Sequence, residues 1–146
     1  MKNLRSNSLV YLLERTLRQT KFSLQQLLDK HANGISVDHW IVLQQIGADN
    51  GQNLAKIAAS TAKDPASITR ITRHLAEMKL VARTRQKNDQ RNFYVTVTPA
   101  GKKMLRDCEK AISKFRTIAG KGLTQEELNH QKKILDKLFE NCGGKL

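Results

Sequence analysis

Cysteine, proline, aromatic residues and acidic charge are all scarce in this chain. Two cysteines cannot form a disulfide framework, which excludes the small stapled secreted scaffold. No long apolar run is present. The longest near the N-terminus, Leu9-Val10-Tyr11-Leu12-Leu13, is ended by Glu14-Arg15. It is too short for a signal-peptide core and far short of the roughly 18–20 residues that span a bilayer. The expectation is a cytoplasmic, reduced protein without membrane association. Glycine-rich phosphate loops and paired carboxylates are missing, and no repeat stands at a solenoid period. His31, His39, His74 and His130 are scattered along the chain, so no metal and no cofactor are expected. Ser36, Asp38 and His39 sit on one helical turn and point different ways. They read as a helix start, not a catalytic set, and the chain is expected not to be an enzyme.

What is present is basic charge. The 146 residues carry 26 Lys+Arg against 13 Asp+Glu, a formal net charge of +13. That excess points to a polyanionic partner. The length allows one domain, and 39% apolar residues allow a real core. The excess is uneven: residues 1–52 are net +2, residues 53–103 net +8 and residues 104–146 net +3. The middle third also carries apolar periodicity, so it reads as a folded basic module and not a disordered tail.

Residues 8–30 have an amphipathic helical pattern, with Leu9, Leu13, Leu17, Leu24 and Leu28 on one stripe and Asn33-Gly34 as a stop. Ser36 is an N-cap for a helix over 37–46, with Asp38 in its first turn. Asn53 caps a short helix with Leu54, Ile57 and Ala58 inward, and residues 60–63 form a turn. Asp64-Pro65 opens another helix, a strong cap followed by proline at the first position. Ile68, Ile71, Leu75 and Met78 then give it a single apolar stripe. Two short helices joined by a tight turn describe a helix-turn-helix.

Residues 80–83 and 93–98 read as strands around a polar, cationic tip at 85–92, which is a wing. Pro99 opens a long helix with Met104, Cys108, Ala111, Ile112, Phe115, Ile118 and Ala119 on one face, broken by Gly120 and Gly122. Thr124 to Glu127 is a capping box for a last helix, with Leu128, Ile134, Leu135, Leu138 and Phe139 inside. The order is α-α-α-α-β-β-α-α: mainly helical, with a small β-hairpin wing. The flanking helices carry more apolar surface than a winged helix needs, and a symmetric dimer would cover it.

The runs Asn53-Leu54-Ala55-Lys56-Ile57-Ala58, Asp64-Pro65-Ala66-Ser67-Ile68-Thr69-Arg70-Ile71, Leu75 through Arg83, Asp89-Gln90-Arg91 and Val97-Thr98-Pro99-Ala100-Gly101, in this order and spacing, resemble the MarR (multiple-antibiotic-resistance regulator) family of winged-helix transcription regulators. The resemblance implies a homodimer on a pseudo-palindromic duplex DNA operator, most often as a repressor. It implies dimerisation helices at 1–35 and 100–146 around a DNA-binding region at 36–99. Ser67, Thr69 and Arg70 would enter the major groove. Arg91 would enter the minor groove, with Asp89 bracing the wing. An Arg fork suits guanine O6/N7, and Arg suits a narrow minor groove.

Arg73 would touch phosphate, and Lys56, Lys63, Arg85 and Lys87 would be phosphate contacts that position without specifying sequence. Elsewhere such residues are ordinarily a solvated face. The resemblance also implies a small, often aromatic, anionic effector in a cleft between the dimerisation helices and the winged helix. Arg15, His39 and Trp40 are the candidates to face it, with core packing the other reading of Trp40. Cys108 reads as a small buried hydrophobe and Cys142 as a tail residue. Two positions depart from the family. Lys79 stands where glycine is usual after the recognition helix, and His74 where arginine is common. A winged-helix adaptor, or a non-specific nucleoid or RNA binder, remains the alternative. The cations at Lys63, Arg70 and Arg73 weigh against an adaptor.

Overall fold

The computed structural model describes residues 8–32, 34–86 and 89–145, with side chains throughout except at 86 and 89–91. Six helices and one sheet follow in the order α1 (Leu9–His31), α2 (Val37–Ala48), β1 (Gln52–Asn53), α3 (Leu54–Thr61), α4 (Pro65–Glu77), β2 (Val81–Gln86), β3 (Asp89–Val97), α5 (Pro99–Ala119) and α6 (Gln125–Asn141). This is a winged helix-turn-helix flanked by helices, as the sequence predicts. Among the described residues no helix is long and apolar enough to cross a membrane.

Local chemistry accounts for most helix starts. The side chains of Ser36, Asn53, Asp64 and Thr98 accept from the amides of His39, Lys56, Ser67 and Gly101, at 3.2, 2.8, 2.8 and 3.0 Å. Each satisfies a first-turn N–H that has no helical partner. Pro65 and Pro99 stand in the first turns of α4 and α5, where the missing N–H costs nothing. Thr124 and Glu127 form the reciprocal capping box. The Asn33 stop lies outside the described residues.

Three features depart from the sequence reading. First, the wing is a three-stranded antiparallel sheet in the order β1-β3-β2. Gln52 and Asn53 pair with Val95 and Tyr94; two residues are too few to show a period. Second, α3 runs through Thr61, so the turn begins at Ala62, which lies at φ 50°. Third, the apolar residues of α6 are not inside. No residue of this helix is buried within the chain, and Ile134 and Leu135 are 47% and 42% exposed. Leu9, Leu13 and Leu17 of α1 and Ile118 of α5 are exposed as well. Periodicity reports that a helix has an apolar face, not what covers it.

The core sits under the helix-turn-helix. Leu28 of α1, Leu43 and Ile46 of α2, Ile57 of α3, Ile68 and Leu75 of α4 and Val95 of β3 are fully buried, with Cys108 and Ala111 of α5. Burying each large aliphatic side chain is worth about 1.5–3 kcal/mol. The stripe Ile68, Ile71 and Leu75 therefore fixes which face of α4 points away from the core. The motif from Val97 to Gly101 joins the wing to α5. Thr98 Oγ1 donates to the Lys79 carbonyl at 2.7 Å, and a Cβ on Gly101 would collide with the backbone oxygen of Leu80. Only glycine allows α5 to start this close to the end of α4.

Candidate nucleic-acid interface

The outward face of α4 carries Ser67, Thr69, Arg70 and Arg73. The Ser67 hydroxyl donates to Asp64 Oδ2 at 2.6 Å, and that of Thr69 to the Pro65 carbonyl at 2.9 Å. Both protons are committed within the helix, so each hydroxyl oxygen is left as an acceptor, suited to a base amino group. Arg70 and Arg73 are exposed and, among the described residues, form no ion pair.

Beside them the sheet adds a cationic cluster. The guanidinium carbons of Arg83 and Arg85 on β2 lie 4.3 and 4.5 Å from the centre of the Phe93 ring on β3. Cation–π contacts of this kind hold both groups in place. Burial pushes the Arg83 guanidinium pKa down, and the charges of Arg73 and Arg85 add to that shift. Its Nε is buried without a hydrogen-bond partner among the described residues. Three like charges held together, with no counter-charge on them among the described side chains, make a site that a phosphate would relieve. The sequence reading missed Arg83. It stands two residues before Arg85 on one strand, and that period-two spacing was the available signal.

Other expected cations are less free. Lys63 Nζ is bonded to Asp38 Oδ1 at 2.6 Å and is only 20% exposed, while Lys56 Nζ is bonded to Asp49 Oδ2 at 2.6 Å. Lys87 lies outside the described residues. Asp89 and Arg91 have β3 backbone, and their side chains are likewise outside.

Arg15, His39 and Trp40 do not come together. Trp40 lines a cavity of about 810 Å³ between α1, α2, α5 and α6. His39 lines a separate cleft of about 640 Å³ between α2 and α4, with Arg70 and His74. Arg15 borders neither, and its guanidinium lies 5.7 Å from the Tyr11 ring. The His39 and His74 rings face each other at 4.7 Å, and Ser36 Oγ is 2.6 Å from His39 Nδ1. Burial lowers the His39 pKa; His74 and Arg70 lower it further against an opposing pull from Asp38. The Cys108 thiol is pushed up to about 11 by burial, with Asp107 adding to it, so it stays protonated near neutral pH. Among the described residues no three of His, Cys, Asp and Glu gather to hold a metal ion.

Lys79 settles one question the sequence leaves open. Its φ is 61°, so the family's glycine position keeps its left-handed backbone here with a lysine in it.

Residues 24–108 match the family described as Transcriptional regulator SarA/Rot. The HTH-type transcriptional regulator SarZ of Staphylococcus epidermidis is 29% identical over 97 residues, 64% of this chain and 62% of that protein. The match thus spans less than two thirds of the relative. A MarR-family transcriptional regulator from Rhodococcus sp. RHA1 superposes with a TM-score of 0.81 at 22% identity, over 94% of this chain and 96% of that one. BpsR of Bordetella bronchiseptica, solved in a study of how 6-hydroxynicotinic acid regulates its DNA binding, superposes at 0.83 with 22% identity, over 91% and 94%. The chain belongs to the SarA/Rot family of transcriptional regulators and has the winged-helix fold of MarR-type proteins.

Proposed function

We propose that this regulator binds duplex DNA sequence-specifically as a homodimer on a pseudo-palindromic operator. It acts as a repressor in the cytoplasm. Residues 36–99 engage DNA, and residues 1–35 and 100–146 dimerise. The observation that carries this reading is the cationic cluster Arg73, Arg83 and Arg85 beside Arg70 on the outward face of the recognition helix. Phosphate contacts from the cluster position the helix, and Ser67, Thr69 and Arg70 read base edges. Arg91, braced by Asp89, reads the adjacent minor groove, and Lys56, Lys63 and Lys87 add phosphate contacts. The exposed apolar faces of α1, α5 and α6 support a two-fold dimer, which sets two recognition helices along one face of a duplex.

The cavity beside Trp40 supports release by a small effector. The regulation of BpsR by 6-hydroxynicotinic acid agrees with an acidic one. Arg15 and His39 lie outside that cavity, so Trp40 is the member of the expected set that would touch the ligand.

Selection of genomic fragments by the purified protein, with competition by random duplex and by RNA, tests the reading. It predicts a shared inverted-repeat sequence that random duplex and RNA do not displace. Ready displacement by random duplex and by RNA would replace it with a non-specific nucleic-acid binder.

A further inference from the structure

Asp38 lies between the Trp40 cavity and the DNA-binding face. Its Oδ1 accepts from Lys21 Nζ at 2.8 Å and from Lys63 Nζ at 2.6 Å. Lys21 is on α1 and lines the cavity. Lys63 is in the turn between α3 and α4, next to the Asp64 cap of the recognition helix. One carboxylate oxygen thus ties the first helix to the start of the recognition helix. Burial pushes the Asp38 carboxyl up, but the hydrogen bonds and charges of Lys21 and Lys63 outweigh it and hold the pKa below the ordinary carboxylate range. The group is charged at neutral pH.

The cavity itself is mostly apolar, with Leu24, Trp40, Phe115 and Leu128 in its wall. Lys21 and Arg116 are its two cations, and none of its lining residues is acidic. Arg116 also reaches Glu109, at 3.5 Å. The fitting ligand is an apolar body bearing a carboxylate, which would seek Lys21.

On the effector reading above, we propose that Asp38 makes such a ligand and DNA antagonists, because each draws one lysine away from the same carboxylate. When a ligand carboxylate takes Lys21, Asp38 is left with Lys63 and holds it back from phosphate. When phosphate takes Lys63, Asp38 is left with Lys21 and closes the cavity to the acid. Drawing both lysines away leaves without a partner a carboxylate whose side chain is 41% exposed, a modest cost that solvent reduces. By linkage the antagonism is reciprocal: each ligand weakens the other by the same factor.

The test uses the full chain, with benzoate and 4-phenylbutyrate beside their uncharged amides. Binding is followed by the fluorescence of Trp40, the one tryptophan in the chain. Coupling is followed by affinity for the genome-selected duplex, and by amide exchange of residues 62–70 without DNA. The acids are expected to bind at least about tenfold more tightly than the amides. They should weaken duplex binding about tenfold, within the usual range of such couplings, and alter exchange at 62–70. Asp38→Asn should bind the acid at least as tightly, yet lose its effect on both duplex affinity and exchange. Lys21→Gln should lose the preference for acid over amide.

Equal binding of acids and amides would overturn the proposal, as would an Asp38→Asn variant that responds like the wild type. If no genomic duplex is selected, the DNA reading fails instead. An acid-induced exchange change that Asp38→Asn abolishes would still support the relay.

Discussion

The amide of Leu80 donates to the carbonyl of Leu75 at 2.9 Å. This bond and the one from Lys79 N to the Ala76 carbonyl, also at 2.9 Å, close α4 in a Schellman turn, with buried Leu75 and Leu80 on either side. Lys79 is the left-handed residue of that turn. A side chain there costs roughly 1–2 kcal/mol, partly offset because glycine loosens the unfolded chain by about 0.4–1 kcal/mol. Lys79→Gly is therefore expected to stabilise the protein by about 1 kcal/mol. Thermal denaturation should show this as a rise of about 3 °C for a chain of this size. An unchanged or lowered melting temperature would contradict it.

The wing predicts a loss of DNA affinity without a loss of assembly. Arg91→Ala should weaken operator binding by about 1–3 kcal/mol per contact removed. Sedimentation should show the same dimer as the wild type. Operator binding at wild-type strength would remove Arg91 from the interface.

His39 predicts a pH dependence of stability. Its folded pKa lies below that of an ordinary histidine, so the unfolded chain takes up the proton first, at about pH 6.5. Stability should be full above that pH, fall as the pH drops through it, and level off below the folded pKa. Urea midpoints near pH 7.5 and pH 5.5 measure the slope. His39→Gln should flatten it, and an equal slope in that variant would place the effect elsewhere.

The elements easiest to read in advance were those whose signals are local. Ser36, Asn53, Asp64 and Thr124 mark helix starts through their own side chains, and Ile68, Ile71 and Leu75 mark the inward face of α4. Strand β1 was not legible, because Gln52 and Asn53 are defined by pairing with Val95 and Tyr94, some forty residues away. The apolar stripe of α6 was legible as a stripe, but its burial was not, since the described residues of one chain leave Ile134 and Leu135 about half exposed. In the candidate interface, residue type and helix position singled out Arg70 and Arg73. Arg83 was missed because its setting depends on a ring from the neighbouring strand. The grouping of His39 with Trp40 failed because adjacent helical residues point about 100° apart, here into different cavities.

The central claim is that two basic modules of one dimer engage a duplex together. Operator affinity measured across salt concentration tests it most directly. A dimer making roughly 8–12 phosphate contacts should give a slope of log K against log salt between about −7 and −11. A slope shallower than about −3 would contradict the account.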